Sequence, residues 1–158
     1  MVNLSSRMGV VTDIQNTEEC TRRNGGCYQM MAVNCDGFIH FIVSPETYFD
    51  ETVCVGDAVI AFFDADAPAA AMQPPRLNAL AVAKSRPERS VKADTFNRQL
   101  ISSDGQLRLN LAPCTKILLK NGQPFLGNPA DRSLIVFYGP TTKSVPAITV
   151  PEKIIVWC

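Results

Sequence analysis

The stretch Asp36–Thr47, DGFIHFIVSPET, recurs 68 residues later as Asp104–Thr115, DGQLRLNLAPCT. The Asp-Gly pair, the alternating apolar residues, the proline and the threonine coincide in the two copies. Asp-Gly readily supplies the positive φ angles of a two-residue type I′ turn, and the period-two run after it is that of a strand. Each copy therefore predicts the second arm of a β-hairpin. The recurrence predicts an all-β protein built from two related halves.

Comparing the copies assigns faces. In the second, Leu107, Leu109 and Leu111 alternate with Gln106, Arg108 and Asn110, so the leucines belong to the core. The same register puts Ile39, Phe41 and Val43 of the first copy in the core, and Phe38, His40 and Ile42 on the outer face. An apolar outer face implies cover by another layer, domain or subunit. Phe38, His40 and Ile42 are thus the candidate interaction face. The function expected from them is a non-catalytic protein-interaction or self-assembly module, with a homo-oligomer or a protein partner as its occupant.

Outward from this hairpin, Arg7–Gln15 and Tyr28–Cys35 read as strands separated by a loop that holds Arg22, Arg23 and Asn24-Gly25-Gly26. Ser44-Pro45-Glu46 suits a helical turn or extended chain equally well. DAVIAFFD, Asp57–Asp64, is apolar on both faces, as a central strand is, and Leu77–Ala83 follows a Pro- and Ala-rich connection at 65–75. The polar, proline-containing run at 85–90 reads as a linker between a first half, 1–84, and a second, 91–158. Asn121-Gly122 adds a hairpin near 115–125 that the first half lacks. Beyond it SLIVFYG and KIIVWC match the last two strands of the first half. Five strands per half in this order predict tandem duplicated five-stranded OB-like barrels, the alternative being a single β-sandwich or barrel built from both halves.

The chemistry-bearing residues are sparse. The 158 residues carry fifteen basic and fifteen acidic side chains, a net charge of zero, which disfavours nucleic acid and anionic membranes as partners. His40 is the single histidine, the six cysteines form no CxxC pair, and the carboxylates gather in loops, where Asp favours turns. No nucleophile, phosphate-loop or metalloprotease motif occurs, so no catalytic residue, metal or cofactor is assigned. An OB-like unit binds through its second and third strands and the loops beside them, which makes the 16–26 and 65–75 loops with Arg22, Arg23 and Tyr28 candidates for an alternative function. That function is binding of single-stranded nucleic acid or an oligosaccharide. The N-terminus lacks a basic segment followed by an apolar one, and no eighteen apolar residues run together, so a cytoplasmic protein with reduced thiols and no membrane attachment is expected.

GDAVIAFFDADAPAAAMQPP, Gly56–Pro75, and IVFYGPTTKSVPAITVP, Ile135–Pro151, resemble stretches of an uncharacterised family of small soluble proteins from anaerobic Gram-positive bacteria. The resemblance extends over most of the chain. It implies an OB-like all-β fold and carries no established activity.

Overall fold

The computed structural model describes residues 3–16, 29–35, 37–44, 46–66 and 76–157. The described chain is all-β, without a helix, and divides between Ser85 and Arg86 into two units. The first holds β1 (Leu4–Asn16), β2 (Gln29–Asn34), β3 (Phe38–Val43), β4 (Tyr48–Phe49), β5 (Ala58–Asp64), β6 (Arg76–Asn78) and β7 (Ala81–Lys84). The second holds β8 (Ser90–Phe96), β9 (Leu107–Leu109), β10 (Lys116–Leu119), β11 (Arg132–Tyr138), β12 (Ala147–Thr149) and β13 (Lys153–Trp157). No helix of the described residues is long and apolar enough to cross a membrane.

The seven strands of the first unit form one sheet in the order β4-β7-β5-β1-β2-β3-β6. β1 is the pivot: Leu4–Val10 pairs with β5, and from Val10 onward the same strand pairs with β2. Gly9 stands at this hand-over because any side chain there would meet the Asn34 carbonyl oxygen, the Val33 Cγ1 at 2.8 Å and the Cys35 Sγ at 2.7 Å. Just beyond, the register slips between Val11 and Asp13, leaving Thr12 as the extra residue of a bulge, where a strand bends. The last segment of the unit breaks at Ala79-Leu80 into β6, parallel to β3, and β7, antiparallel to β5.

Four of the first unit's pairings, β1–β5, β5–β7, β4–β7 and β3–β6, have counterparts in the second. β8 and β13 flank β11 in antiparallel pairing, β9 runs parallel to β12, and β10 runs parallel to β13 as β4 does to β7. Registers agree as well. His40 faces Arg76 as Arg108 faces Ile148, Tyr48 faces Ala81 as Lys116 faces Lys153, and Val59 faces Lys84 as Leu134 faces Val156. The repeated threonine does the same work twice. Thr47 Oγ1 donates to the Ala79 carbonyl at 2.8 Å and accepts from the Ser44 amide at 3.0 Å. Thr115 Oγ1 donates to the Pro151 carbonyl at 2.8 Å and accepts from the Ala112 amide at 3.3 Å. Each hydroxyl ties the chain after the repeated strand to the closing segment of its own unit.

Each unit has its own core. Val11, Met31, Val33, Phe41, Val43, Val59, Ala61, Ala79 and Val82 form the first, and Phe96, Leu107, Leu109, Leu134, Val136, Ile154 and Val156 the second. β5 is apolar on both sides as its sequence predicts: Val59 and Ala61 enter the core, and Ile60 and Phe62, on the opposite side, are buried too.

Four expectations need correction. Among the described residues neither unit closes a five-stranded barrel. In the first, the closing segment changes partner at Ala79-Leu80, where the Ala79 amide still donates to the Ile42 carbonyl at 3.0 Å and the Leu80 amide to the Phe62 carbonyl at 2.8 Å, and in the second the strands fall into separate sheets of four and two. The predicted strand before Asp104 shrinks to bridges from Ser102 to Phe96 and from Ile101 to Arg108. Asn97 Oδ1 accepts from the Gln99 and Ile101 amides and Leu100 takes φ of 61°, so a turn occupies the chain where the strand would run. The turn at Asp104-Gly105 is not type I′, since Gly105 alone has positive φ there and Ser102 N bonds Leu107 O across a longer loop. Finally Leu111 lies past the end of β9 and is exposed, not part of the core.

Candidate functional site

Direct pairing across β1, β2, β3 and β6 fixes which side chains share the outer face of the first unit, because opposed residues in a sheet point the same way. Three rows result: Val10, Asn34 and Phe38; then Asp13, Ala32, His40 and Arg76; then Gln15, Met30, Ile42 and Asn78. Met8, two residues before Val10 on β1, extends the first row's end of the face. The predicted trio Phe38, His40 and Ile42 therefore stands on one face, beside residues the sequence reading had not singled out.

The face is graded. Met8, Val10 and Phe38 gather at one end and are 63%, 44% and 54% exposed. The middle row carries the charge, with exposed Asp13 on one side and half-buried His40 and Arg76 on the other. Gln15 Nε2 donates to Asp13 Oδ2 at 2.7 Å, which holds the carboxylate on this side of the sheet. His40 Nδ1 is shielded from solvent and has no hydrogen-bond partner among the described residues. Ile42 is half-buried between Met30 and Asn78.

Phe38, His40 and Ile42 were set apart by contrast with Gln106, Arg108 and Asn110, and the neighbouring strands change that contrast. Arg108 faces Ile148 on β12, which is 37% exposed, and Val150 just beyond is 49% exposed. In the first unit the order is reversed, with the apolar members on β3 and Arg76 and Asn78 on β6. Both outer faces thus pair an arginine with aliphatic or aromatic neighbours. What distinguishes the first unit is β1, which adds Val10, Asp13 and Gln15 through a pairing with β2 of six register positions, and Met8 from its stretch paired with β5.

Arg22, Arg23 and Tyr28 lie outside the described residues, as do most of the 16–26 and 65–75 loops. The loop carboxylates serve the backbone. Asp57 Oδ2 accepts from the Cys54 amide at 2.8 Å and pairs with Lys84 Nζ at 3.5 Å. The Cys54 amide and then Lys84 outweigh partial desolvation and hold the Asp57 carboxyl below the usual range. Asp104 accepts from Lys92 Nζ at 2.6 Å, Ser102 Oγ at 2.5 Å and the Gln106 amide at 3.0 Å, which lowers its pKa to about 2, Lys92 contributing most. Cys54 and Cys114 are exposed thiols and Cys35 is half-buried, while Cys20, Cys27 and Cys158 lie outside the described residues. Among the described residues no group of three or more His, Cys, Asp or Glu side chains is placed to hold a metal ion.

No protein-family model, curated protein or solved structure matches this chain, and the family resemblance expected from Gly56–Pro75 and Ile135–Pro151 finds no support in these comparisons.

Proposed function

We propose that the chain is a non-catalytic protein-interaction or self-assembly module that makes contact through the outer face of β1, β2, β3 and β6. One observation carries this reading: Met8, Val10 and Phe38, from two different strands, are each more than two-fifths exposed at the same end of one face. Single exposed apolar residues need no explanation, whereas an apolar cluster rimmed by polar groups is the composition of a contact surface. The duplicated pairing order supports reading each unit as an OB-like five-strand assembly, β6 and β7 being two parts of the fifth strand and β12 and β13 their counterparts. On that reading the two units are copies of one ancestral unit, and the contact face belongs to the first.

Photocrosslinking tests it. With p-benzoylphenylalanine in place of Phe38, irradiation of cells that make the full chain should give protein adducts absent from a control carrying the same group at exposed Leu126 of the second unit. Adducts to nucleic acid alone would transfer the face to the OB-type ligand-binding function. No adduct at all would remove the contact reading.

A further inference from the structure

Resting on that contact reading, we propose that the occupant of the face is a second copy of this chain, packed face to face about a twofold axis that runs along β2. Two copies of one face can be related by a twofold axis lying between them, and the surface must then complement itself. The direction of the axis decides what meets what.

An axis along β2 exchanges the two flanks of the face and leaves each row at its own level. Val10 of one copy then lies over Phe38 of the other, apolar against apolar. Asp13 lies over His40 of the other copy, with Arg76 next to it on β6. Gln15 comes over Ile42, within reach of the Asn78 amide beside it. Asn34, Ala32 and Met30 meet their own counterparts along the axis. An axis across the strands would instead run along the middle row, bringing Asp13 against Asp13 and Arg76 against Arg76. Like charges brought together on a desolvating surface cost far more than they do in water, so the first arrangement is selected.

The charges on the face support a second copy as its occupant. Asp13 and Arg76, on opposite flanks of one row, cancel within the face, and the whole chain is neutral, so two copies approach without net repulsion. A partner of either pronounced charge would find one flank of this row repulsive. The size of the face sets the strength. Three strands paired over some six residues and a fourth, β6, of three, spaced about 4.8 Å apart, give a patch of roughly 350 Å² in projection, below the roughly 800 Å² per partner of a standard stable interface, so association belongs to the weak, reversible class.

Sedimentation equilibrium of the full chain tests the proposal over roughly 10 µM to 1 mM, the span in which an interface of this class associates. The expected result is a reversible monomer–dimer equilibrium. Phe38→Ser should weaken it at least about tenfold, as expected for loss of an aromatic anchor. Asp13→Lys and Arg76→Asp should each weaken it, and the two substitutions together should recover most of the loss. That recovery is a result a merely structural role of either side chain would not give, and thermal melting of each variant separates lost association from lost folding. A wild-type chain that stays monomeric across the range, or a dimer that withstands Asp13→Lys, overturns the proposal. The two readings fail separately. A monomeric chain that still gives protein adducts from position 38 loses only the self-pairing, and a monomeric chain that gives none loses the contact face as well.

Discussion

At the scale of single residues, Thr47 and Thr115 show what the repeated Pro-x-Thr pattern is for. Each hydroxyl both accepts from a backbone amide three residues earlier and donates to a carbonyl of the closing segment. Valine keeps the shape and removes both bonds, leaving backbone groups unsatisfied. Thr47→Val and Thr115→Val should each lower unfolding free energy by about 1–2 kcal/mol, read from denaturant titrations. Equal costs are expected because the two geometries are equivalent. Asp104 gives a pH prediction. Its pKa is about 2 in the folded chain, against an ordinary 3.8. A depressed carboxylate contributes stability in full above its unfolded value and loses it as pH falls through the folded one. Its side chain is 44% exposed, so after solvent screening the contribution is about 1 kcal/mol. Asp104→Asn should therefore be less stable than wild type at neutral pH. The difference should shrink below about pH 4 and be lost only as pH falls below about 2, as chemical denaturation at each pH would show. A gap that stayed at its full neutral-pH size at about pH 2 would mean that the carboxylate's charge is not the cause.

At the scale of elements, the sequence carried the alternation of β3 and β9 well. Phe41, Val43, Leu107 and Leu109 are all buried, because a period of two survives any change in what covers the far side. Two things were hidden. Asn97 and Leu100 replace the strand before Asp104 with a turn, and a left-handed leucine leaves no compositional trace. The bulge at Thr12 shifts the phase of β1, so simple alternation from Arg7 to Gln15 does not reveal that Met8, Val10, Asp13 and Gln15 share a face with Phe38. Arg76 was hidden for another reason: its place on the face depends on a parallel pairing between β3 and β6, and no turn signal encodes such a pairing. The bulge makes a prediction of its own. With Thr12 removed, Val11, Asp13, Ile14 and Gln15 would still alternate in, out, in and out against Val33, Ala32, Met31 and Met30. Deleting Thr12 should hence be tolerated with a loss of about 1–2 kcal/mol, whereas deleting Ile14 flips the strand end and should cost well over that. Thermal unfolding of the two deletions checks the order.

At the scale of the whole molecule, the repeated Asp-Gly stretch made the two-unit organisation legible, since a constant offset between matched segments reports architecture whatever the propensities say. What it could not report is how far each unit closes, which turns on the change of strand partner at Ala79-Leu80 and on how much of β1 a unit retains. Charge belongs to this scale as well. With fifteen charges of each sign, the chain has little counterion release to gain from a polyanion. A labelled single-stranded oligonucleotide should show no appreciable binding near physiological salt in fluorescence anisotropy. Micromolar binding there, lost on Arg22→Ala with Arg23→Ala, would restore the loops at 16–26 and 65–75 as the working surface.

The split closing segment has a kinetic consequence. β1 pairs with β5 across more than forty residues of chain, and the run from Arg76 to Lys84 must join β3 at one end and β5 at the other. Until it arrives, both strands present unpaired edges. Topologies dominated by such distant pairings fold in milliseconds to seconds, not microseconds. During that interval the first unit is a sheet with two open sides and an apolar interior, the form in which chains most readily find one another wrongly. We expect the parallel β3–β6 ladder to engage last in refolding, which stopped-flow folding and unfolding rates would test. Substitutions confined to it should accelerate unfolding while leaving the folding rate nearly unchanged.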